Sequence, residues 1–317
     1  MKIKLLTICL LLFTSQVSVS DKEYEKPQLL SLEKILISGD VNTFANNVID
    51  SITNESINIS KKFLDNYFPT VEITYDAAGG EKPIAGILLV APITDKKNIS
   101  NTFFTQFSSF YKDDRTTLNL GLGYRYITDD KKFLYGINAF YDHEFPYDHG
   151  RTSIGLEAMS TMWEIRGNKY WASTEWNVGR NGKLERALDG YDMEAGITLP
   201  YINWVTLFVK HFNWDAYNGA DDLEGQDLSL RAQFPNFLTG LEIEAGKSYY
   251  NDYENESFIK ISYNLMKIFE EKNTYSEPWV NNNAYNLKSV EHKRFEKVRR
   301  ENFIVKQMRG NLKVVTR

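Results

Sequence analysis

The residue types in this sequence that could do chemistry are sparse. His143 and His149 stand near one another beside Asp142, Glu144 and Asp148. Imidazole and carboxylate together suit a divalent metal, and a solvated loop is the competing reading. The other histidines, His211 and His292, have no comparable company. No P-loop, dinucleotide fingerprint or zinc-helix motif appears. A rim enzyme would need a nucleophile and base, or paired carboxylates, close together, and no such set is assigned. The sequence therefore carries no assigned catalytic residue, cofactor or metal, and the expectation is that it is not an enzyme. The only cysteine, Cys9, lies in an N-terminal apolar run. Beyond that run no disulfide, thiolate metal site or cysteine nucleophile can form.

A larger set of polar groups recurs at a spacing of two. Leu118, Leu120, Leu122, Tyr124 and Tyr126 alternate with Asn119, Gly121, Gly123 and Arg125. Tyr191, Met193, Ala195 and Ile197 alternate with Asp192, Glu194 and Gly196. Leu228, Leu230 and Ala232 alternate with Ser229, Arg231 and Gln233, and Ile259 and Ile261 with Lys260 and Ser262. Successive side chains of a strand point to opposite faces, so each segment has one apolar and one polar face. The same parity puts Asn138, Asp142, Arg151, Gly155, Glu157, Glu242 and Glu244 on the polar face. A soluble β-sandwich or lipocalin-like barrel would turn its apolar face inward. A membrane barrel would turn it outward and place these charges in its lumen, where they must pair or hydrate. Leu120, Leu122, Tyr124, Ile197, Leu230 and Ile261 are then expected to meet lipid. Arginine at mid-membrane on that face should cost roughly 2–4 kcal/mol, and less at an inward neighbour. Inward glycines should leave room for a segment close to the wall.

Residues 266–317 are basic. Lys288, Lys293, Arg294, Lys297, Arg299 and Arg300 face only Glu291 and Glu296 in the stretch 288–300. A cation-rich plug helix in an acid-rich lumen would be held by charge-assisted contacts. A solvated tail and a nucleic-acid patch are the alternatives, and no nucleic-acid partner is expected.

These groups need elements to hold them. About twelve strands are expected, over 69–75, 83–92, 101–111, 115–127, 133–142, 151–163, 169–178, 190–199, 203–212, 227–234, 238–247 and 257–265. Linkers at 76–82, 143–150, 179–189, 213–226 and 248–256 are expected to be long, and those at 200–202 and 235–237 tight. Such asymmetry is typical of outer-membrane barrels; the short link at 112–114 breaks it. The fold expected is an all-β, antiparallel transmembrane barrel at 69–265, with a partly helical periplasmic segment at 21–68. Composition agrees: 14% aromatic residues, 19 glycines and 8 prolines among 317 residues, with a mean hydropathy of −0.42. The run over residues 1–20 has Lys2 and Lys4, an apolar core from Leu5 to Phe13, and small Ser18 and Ser20 before Asp21. That is the pattern of a cleaved secretory signal, so the chain is expected to be exported and its barrel to lie in the outer membrane.

Several motifs stand in one order. Asn119-x-Gly121-x-Gly123-x-Arg125 is followed by Asn138-x-Phe140-x-Asp142. Next come Arg151, Ile154, Gly155 and Glu157, then Gly190-Tyr191-Asp192 leading to Leu199 and Pro200. Val290, Arg294, Val298, Arg299, Asn302, Ile304 and Val305 continue the match beyond the last strand. The pattern resembles the transmembrane β-domain of inverse autotransporters, the intimin and invasin family, over roughly residues 60–310. The resemblance implies a twelve-stranded barrel with both ends periplasmic. It also implies a post-barrel segment that re-enters the lumen, partly as a helix, and carries a passenger to the surface. No immunoglobulin-like or lectin-like passenger is recognisable before Arg317, nor a peptidoglycan-binding module before the barrel. The expected function is thus an anchor and translocator in short form, and the second reading is a small porin. Its partners would be outer-membrane lipid and, during biogenesis, the barrel assembly machinery and periplasmic chaperones. The sequence identifies no surface ligand.

Overall fold

Period-2 alternation produces a closed sheet. A computed structural model describes residues 67–78, 84–251, 254–266, 278–285, 289–309 and 314–315. The expected signal at 1–20 and nearly all of the 21–68 segment lie outside the described residues, as does Lys288. The first seven strands are β1 (Thr70–Ala78), β2 (Ile84–Pro92), β3 (Asn101–Lys112), β4 (Arg115–Ile127), β5 (Leu134–Phe145), β6 (His149–Met159) and β7 (Trp163–Ala172). Two short strands follow, β8 (Asn177–Val178) and β9 (Leu184–Ala187). Next come β10 (Asp189–Thr198), β11 (Val205–Asp215), β12 (Leu223–Gln233), β13 (Leu241–Tyr250) and β14 (Glu256–Asn264). β15 (Lys306–Met308) and β16 (Val314–Val315) lie in the tail. Twelve strands, β1–β7 and β10–β14, close into an antiparallel barrel, and β8, β9, β15 and β16 form a separate small sheet.

Closure joins β1 to β14, with Glu72 opposite Asn264. An even strand number leaves both ends of the barrel at one rim, here called proximal. No helix among the described residues is long and apolar enough to cross a membrane; the strands do the crossing. Their outer face is apolar: Leu122, Ile137, Ile154, Leu156, Ile165, Ile197, Leu230 and Ile261 are all exposed. Asn119, Arg125, Asp142, Arg151, Glu157, Glu194, Arg231 and Glu244 are buried inside. The apolar-out, charge-in order of a membrane barrel holds, and the soluble alternative does not.

Two turn readings need correction. The sequence placed a break inside 164–168, but Ser160 accepts hydrogen bonds from Met162 N and Trp163 N and makes the turn there. β7 therefore starts at Trp163, and Glu164, Arg166 and Asn168 join the lumen wall. Nor do loop lengths sort cleanly. β5 and β6 are separated only by residues 146–148, not by a long loop at 143–150, while 93–100 on the proximal side is long. The two-residue link at Asp113 and Asp114 is a tight hairpin, with both residues at positive φ of 51° and 61°. That conformation suits Asp, whose short polar side chain tolerates it.

The inward glycines do not leave empty space. Gly121 is registered opposite Phe140, Gly123 opposite Phe104, Gly196 opposite Phe208 and Gly246 opposite Phe258. A Cβ on any of these four glycines would overlap the opposing ring. Each ring lies flat where its partner has no side chain. The free ring then carries a cation on the lumen side: Arg125 sits 4.7 Å over Phe104, Arg300 4.4 Å over Phe140, and Arg299 4.3 Å and Arg231 4.6 Å over Phe208. The wall is thus layered as glycine, ring and guanidinium, which adds cation–π attraction to ring burial.

This layering changes the expected cost of inward substitutions. Leu122→Arg, on the lipid face, should lower stability by roughly 2–4 kcal/mol. Gly123→Val, one residue on, should cost a comparable ~1–3 kcal/mol by overpacking, rather than less. Adding Phe104→Leu should recover part of that loss. Urea titration in lipid vesicles, followed by tryptophan fluorescence, measures all three; a Gly123→Val barrel as stable as its parent would refute the layered packing.

Candidate functional site

A mixed-charge lumen closed off from water by a low-dielectric wall favours a segment that brings complementary charge. The tail is that segment. Val290 packs with Ile127, Leu134 and Met159 at the proximal rim. Val298 packs with Leu88, Val90, Phe104 and Phe140 midway. Val305 reaches Tyr170, Leu188, Phe212, Trp214 and Leu223 near the distal rim. Beyond it β15 pairs with β9, which belongs to the loop between β7 and β10.

The expected plug helix is mostly not helical. A 3-10 turn spans Val290–Phe295 and contains Lys293 and Arg294, with Ser289 accepting from Glu291 N as its cap. From Glu296 to Val305 the chain is neither helix nor strand and bends at Glu296, Arg300 and Phe303, so Lys297, Arg299 and Arg300 stand on an open, non-helical run. Ten residues, 296–305, can reach at most about 33 Å at roughly 3.3 Å each, against an apolar band of roughly 25 Å. A helix of ten residues would reach only about 15 Å.

A chain that is neither helical nor paired with a strand must find other partners for its peptide groups. The wall's side chains supply them. Arg125 Nη1 donates to the carbonyls of Lys293, Arg294 and Glu296 at 3.2, 3.0 and 2.7 Å, closing the end of the 3-10 turn. Val298 N donates to Gln106 Oε1 at 2.8 Å. Asn168 donates to Arg299 O at 3.2 Å, Arg151 to Glu301 O at 2.6 Å and Asn119 to Asn302 O at 3.0 Å. Glu301 N donates to the Tyr170 hydroxyl at 2.8 Å, which itself donates to Asp192 at 2.6 Å. Asp192 therefore acts on the tail through Tyr170.

The tail's cations meet wall acids along its length. Lys293 bonds Glu164. Lys297 bridges Glu72 at 2.7 Å and Glu242 at 2.9 Å. Arg299 bridges Glu194 at 2.7 Å and Glu244 at 3.0 Å. Arg300 donates to both oxygens of Asp142 at 2.7 Å, and Arg151 holds the same carboxylate at 2.8 Å. Lys306 bonds Glu144. Arg294 departs from this set: it donates to Asn98 O at the proximal rim. Glu157 pairs with Arg125 in the wall, and Arg231 with Glu164. Gly155 leaves room for the amides of Asn138 and Asn168.

Several contacts escaped sequence reasoning. Glu164, Arg166 and Asn168 were lost with the misplaced turn. Glu72 was legible, because Thr70, Glu72, Thr74 and Asp76 alternate with Val71, Ile73 and Tyr75. Gln106 and Tyr170 carry no charge and gave no signal. The two histidines do not meet. His143 faces outward between Tyr141 and Phe145, whereas His149 is buried 3.4 Å from Glu185.

Residues 25–302 match the family profile described as "Inverse autotransporter, beta-domain". The chain belongs to the inverse autotransporter β-domain family. Invasin of Yersinia enterocolitica is 26% identical over 238 residues, covering 71% of this chain and 28% of invasin. The adhesin YeeJ of Escherichia coli K12 is 32% identical over 142 residues, covering 44% of this chain and 6% of YeeJ. The chain thus spans well under half of the length of these relatives. A solved barrel, from work described as "Unveiling the Mechanism Behind the in-meso Crystallization of Membrane Proteins", shares the fold. It has a TM-score of 0.63 at 20% identity and covers 76% of this chain and all of its own. This inverse autotransporter barrel is an outer-membrane anchor, embedded in lipid through its apolar outer face.

Two outcomes follow from the charge network. Arg299→Met leaves Glu194 and Glu244 facing one another and should cost roughly 3–5 kcal/mol. Glu194→Gln with Glu244→Gln in the same chain should restore most of it, as read by urea unfolding. The second concerns Glu185, in β9 outside the barrel wall. Burial pushes its carboxyl up, but His149 and Arg115 outweigh that and hold it down to about 2, from an ordinary 4.5. A depressed folded value stabilises fully above 4.5 and is lost as pH falls through about 2. The gap in melting temperature between parent and Glu185→Gln should therefore be constant near neutrality, shrink below pH 4.5 and close near 2. A gap independent of pH would show that Glu185 acts through packing alone.

Proposed function

We propose that the barrel is a translocator as well as an anchor, carrying the chain beyond its tail from the periplasm to the cell surface. The observation behind this reading is the path of residues 290–308: in at the proximal rim, through the lumen, and onto β9 at the distal rim. A periplasmic proximal rim follows from an exported chain whose barrel begins there. In this reading the signal at 1–20 is cleaved, periplasmic chaperones and the barrel assembly machinery insert the barrel, and the tail-threaded lumen has no catalytic task. Kinship with invasin, intimin and the YeeJ adhesin supports display for adhesion as the purpose of the anchor.

Arg309 offers a direct test, since it is exposed just past β15 and its amide donates to Leu184 O at 2.8 Å. Cys9 is the only native cysteine, so an Arg309→Cys chain carries one reporter thiol after signal cleavage. A membrane-impermeant maleimide should label it on intact cells. Labelling only after the outer membrane is breached would place the distal rim in the periplasm and overturn the translocator reading.

A further inference from the structure

The lipid-facing wall is not uniform. The outward positions of the twelve barrel strands carry no arginine, and their lysines are Lys169 on β7 and Lys247 on β13. Both lie toward the distal rim in one sector, β7 and β10–β13, which are neighbours in the barrel. The outward histidine of that sector, His211, lies between them on β11, and outward polar groups join the three. Lys169 is registered with Tyr191, His211 with Gln226, and Gln226 with Tyr249. Lys169 Nζ stands 5.9 Å over the Tyr191 ring, and Lys247 Nζ 5.4 Å over the Tyr249 ring. The Tyr191 hydroxyl lies 3.3 Å from His211 Nε2. On the proximal side of this row the wall reverts to apolar Ile165, Met193, Val209 and Leu228, all exposed. Across the barrel, β3 and β4, with outward Phe107, Tyr111, Thr116 and Leu118, have no outward lysine or arginine.

A cation that faces a bilayer needs an anionic partner at its own depth. The partners within the protein are loose. Lys169 lies 3.7 Å from Asp215, and His211 3.9 Å from Glu224, with all four side chains a third or more exposed. We propose that this sector seats a phosphorylated glycolipid of the outer leaflet. Lys169 and Lys247 take its phosphates, Tyr191, His211 and Gln226 its sugar hydroxyls, and the apolar row beneath its acyl chains. Charge complementarity selects an anionic headgroup, and span selects a large one. From β7 to β13 there are four inter-strand steps of roughly 4.8 Å, and the register offsets Lys247 from Lys169 by four residues, so their Cα atoms stand about 23 Å apart along the wall. One phospholipid phosphate reaches one of the lysines, whereas a disaccharide with a phosphate at each end reaches across most of the row. The assignment to the outer leaflet rests on the surface-facing distal rim proposed above, while the binding chemistry does not.

The test uses the full chain in detergent micelles, titrated with bis-phosphorylated lipid A and with phosphatidylglycerol and read by native mass spectrometry. Lipid A should bind at least tenfold more tightly than phosphatidylglycerol. The Lys169→Gln, Lys247→Gln double variant should lose at least tenfold in lipid A affinity, each single variant should lose part of it, and Thr116→Gln on β4 across the barrel should lose none. Heat-modifiable gel mobility reports whether each variant remains a folded barrel; if the double variant does not, the single variants decide. Equal binding of the two lipids, or unchanged binding in the lysine variants, overturns the proposal. So does efficient disulfide capture of two copies through Leu228→Cys, which would make the sector a contact between barrels. A distal rim that maleimide finds in the periplasm, with lipid A binding intact, would overturn the leaflet and leave the site.

Discussion

The pairing of Arg299 with Glu194 and Glu244 captures the constraint on which this barrel depends: a charge shut inside a lipid-facing wall must meet its opposite. Glu194 and Glu244 come from β10 and β13, which are not adjacent in the sheet. No wall residue brings these two carboxylates together; the tail's guanidinium does. The same holds for Glu72 and Glu242, bridged by Lys297 from β1 and β13 across the intervening β14. A barrel without its tail would hold these acids in water or in mutual repulsion. The tail is thus a structural member that braces strands across the lumen. Lys297 does so beside the β1–β14 seam, where the chain's two barrel ends meet.

Space follows the same logic as charge. A lumen that must hold a peptide and its counter-charges cannot also be lined by bulky side chains at every inward position. The opposed glycine and phenylalanine of neighbouring strands resolve this conflict. Phe208 lies over Gly196 and offers its free face to both Arg231 and Arg299. One ring thereby fills the space beside a wall glycine, supports a wall cation and supports a tail cation. Small residues alternate with large ones across the register, not only along each strand. That is why single-strand periodicity sees half of the arrangement.

The division between what was legible and what was not has the same origin. Period-2 alternation is a local property, so it revealed strand β4, β10, β12 and β14, the outward apolar face and the inward parity of Asp142, Glu194 and Glu244. Cross-strand register is non-local. Nothing near Gly123 states that Phe104 will cover it, so the glycines read as empty room. The break before β7 was missed because Ser160, a single side chain accepting two backbone hydrogen bonds, makes a turn without glycine or proline. The tail's charge was legible and its conformation was not. Amphipathic helical spacing and an irregular run with cations on opposite sides look alike when the surroundings on every side are acidic.

Why the tail is not a helix follows from what surrounds it. A helix satisfies its own peptide groups and asks the wall for packing alone. This wall instead offers directed donors and acceptors, and Arg125, Arg151, Asn119, Asn168, Gln106 and Tyr170 each spend a polar group on the tail's backbone. Those groups would be left unsatisfied around a helix, at a cost of about 1–3 kcal/mol for each buried one. The short 3-10 turn survives only at the proximal rim, where Arg125 gathers its last carbonyls. Past that point adjacent residues can turn to opposite walls, as Arg299 does toward Glu194 and Glu244 and Arg300 toward Asp142. Consecutive side chains of a helix project only about 100° apart, so a helix could not send neighbouring arginines to opposite walls. The motif arginine of β4 and the paired arginines of the tail are therefore parts of one requirement: a chain that crosses the lumen while the buried wall acids it passes find cations.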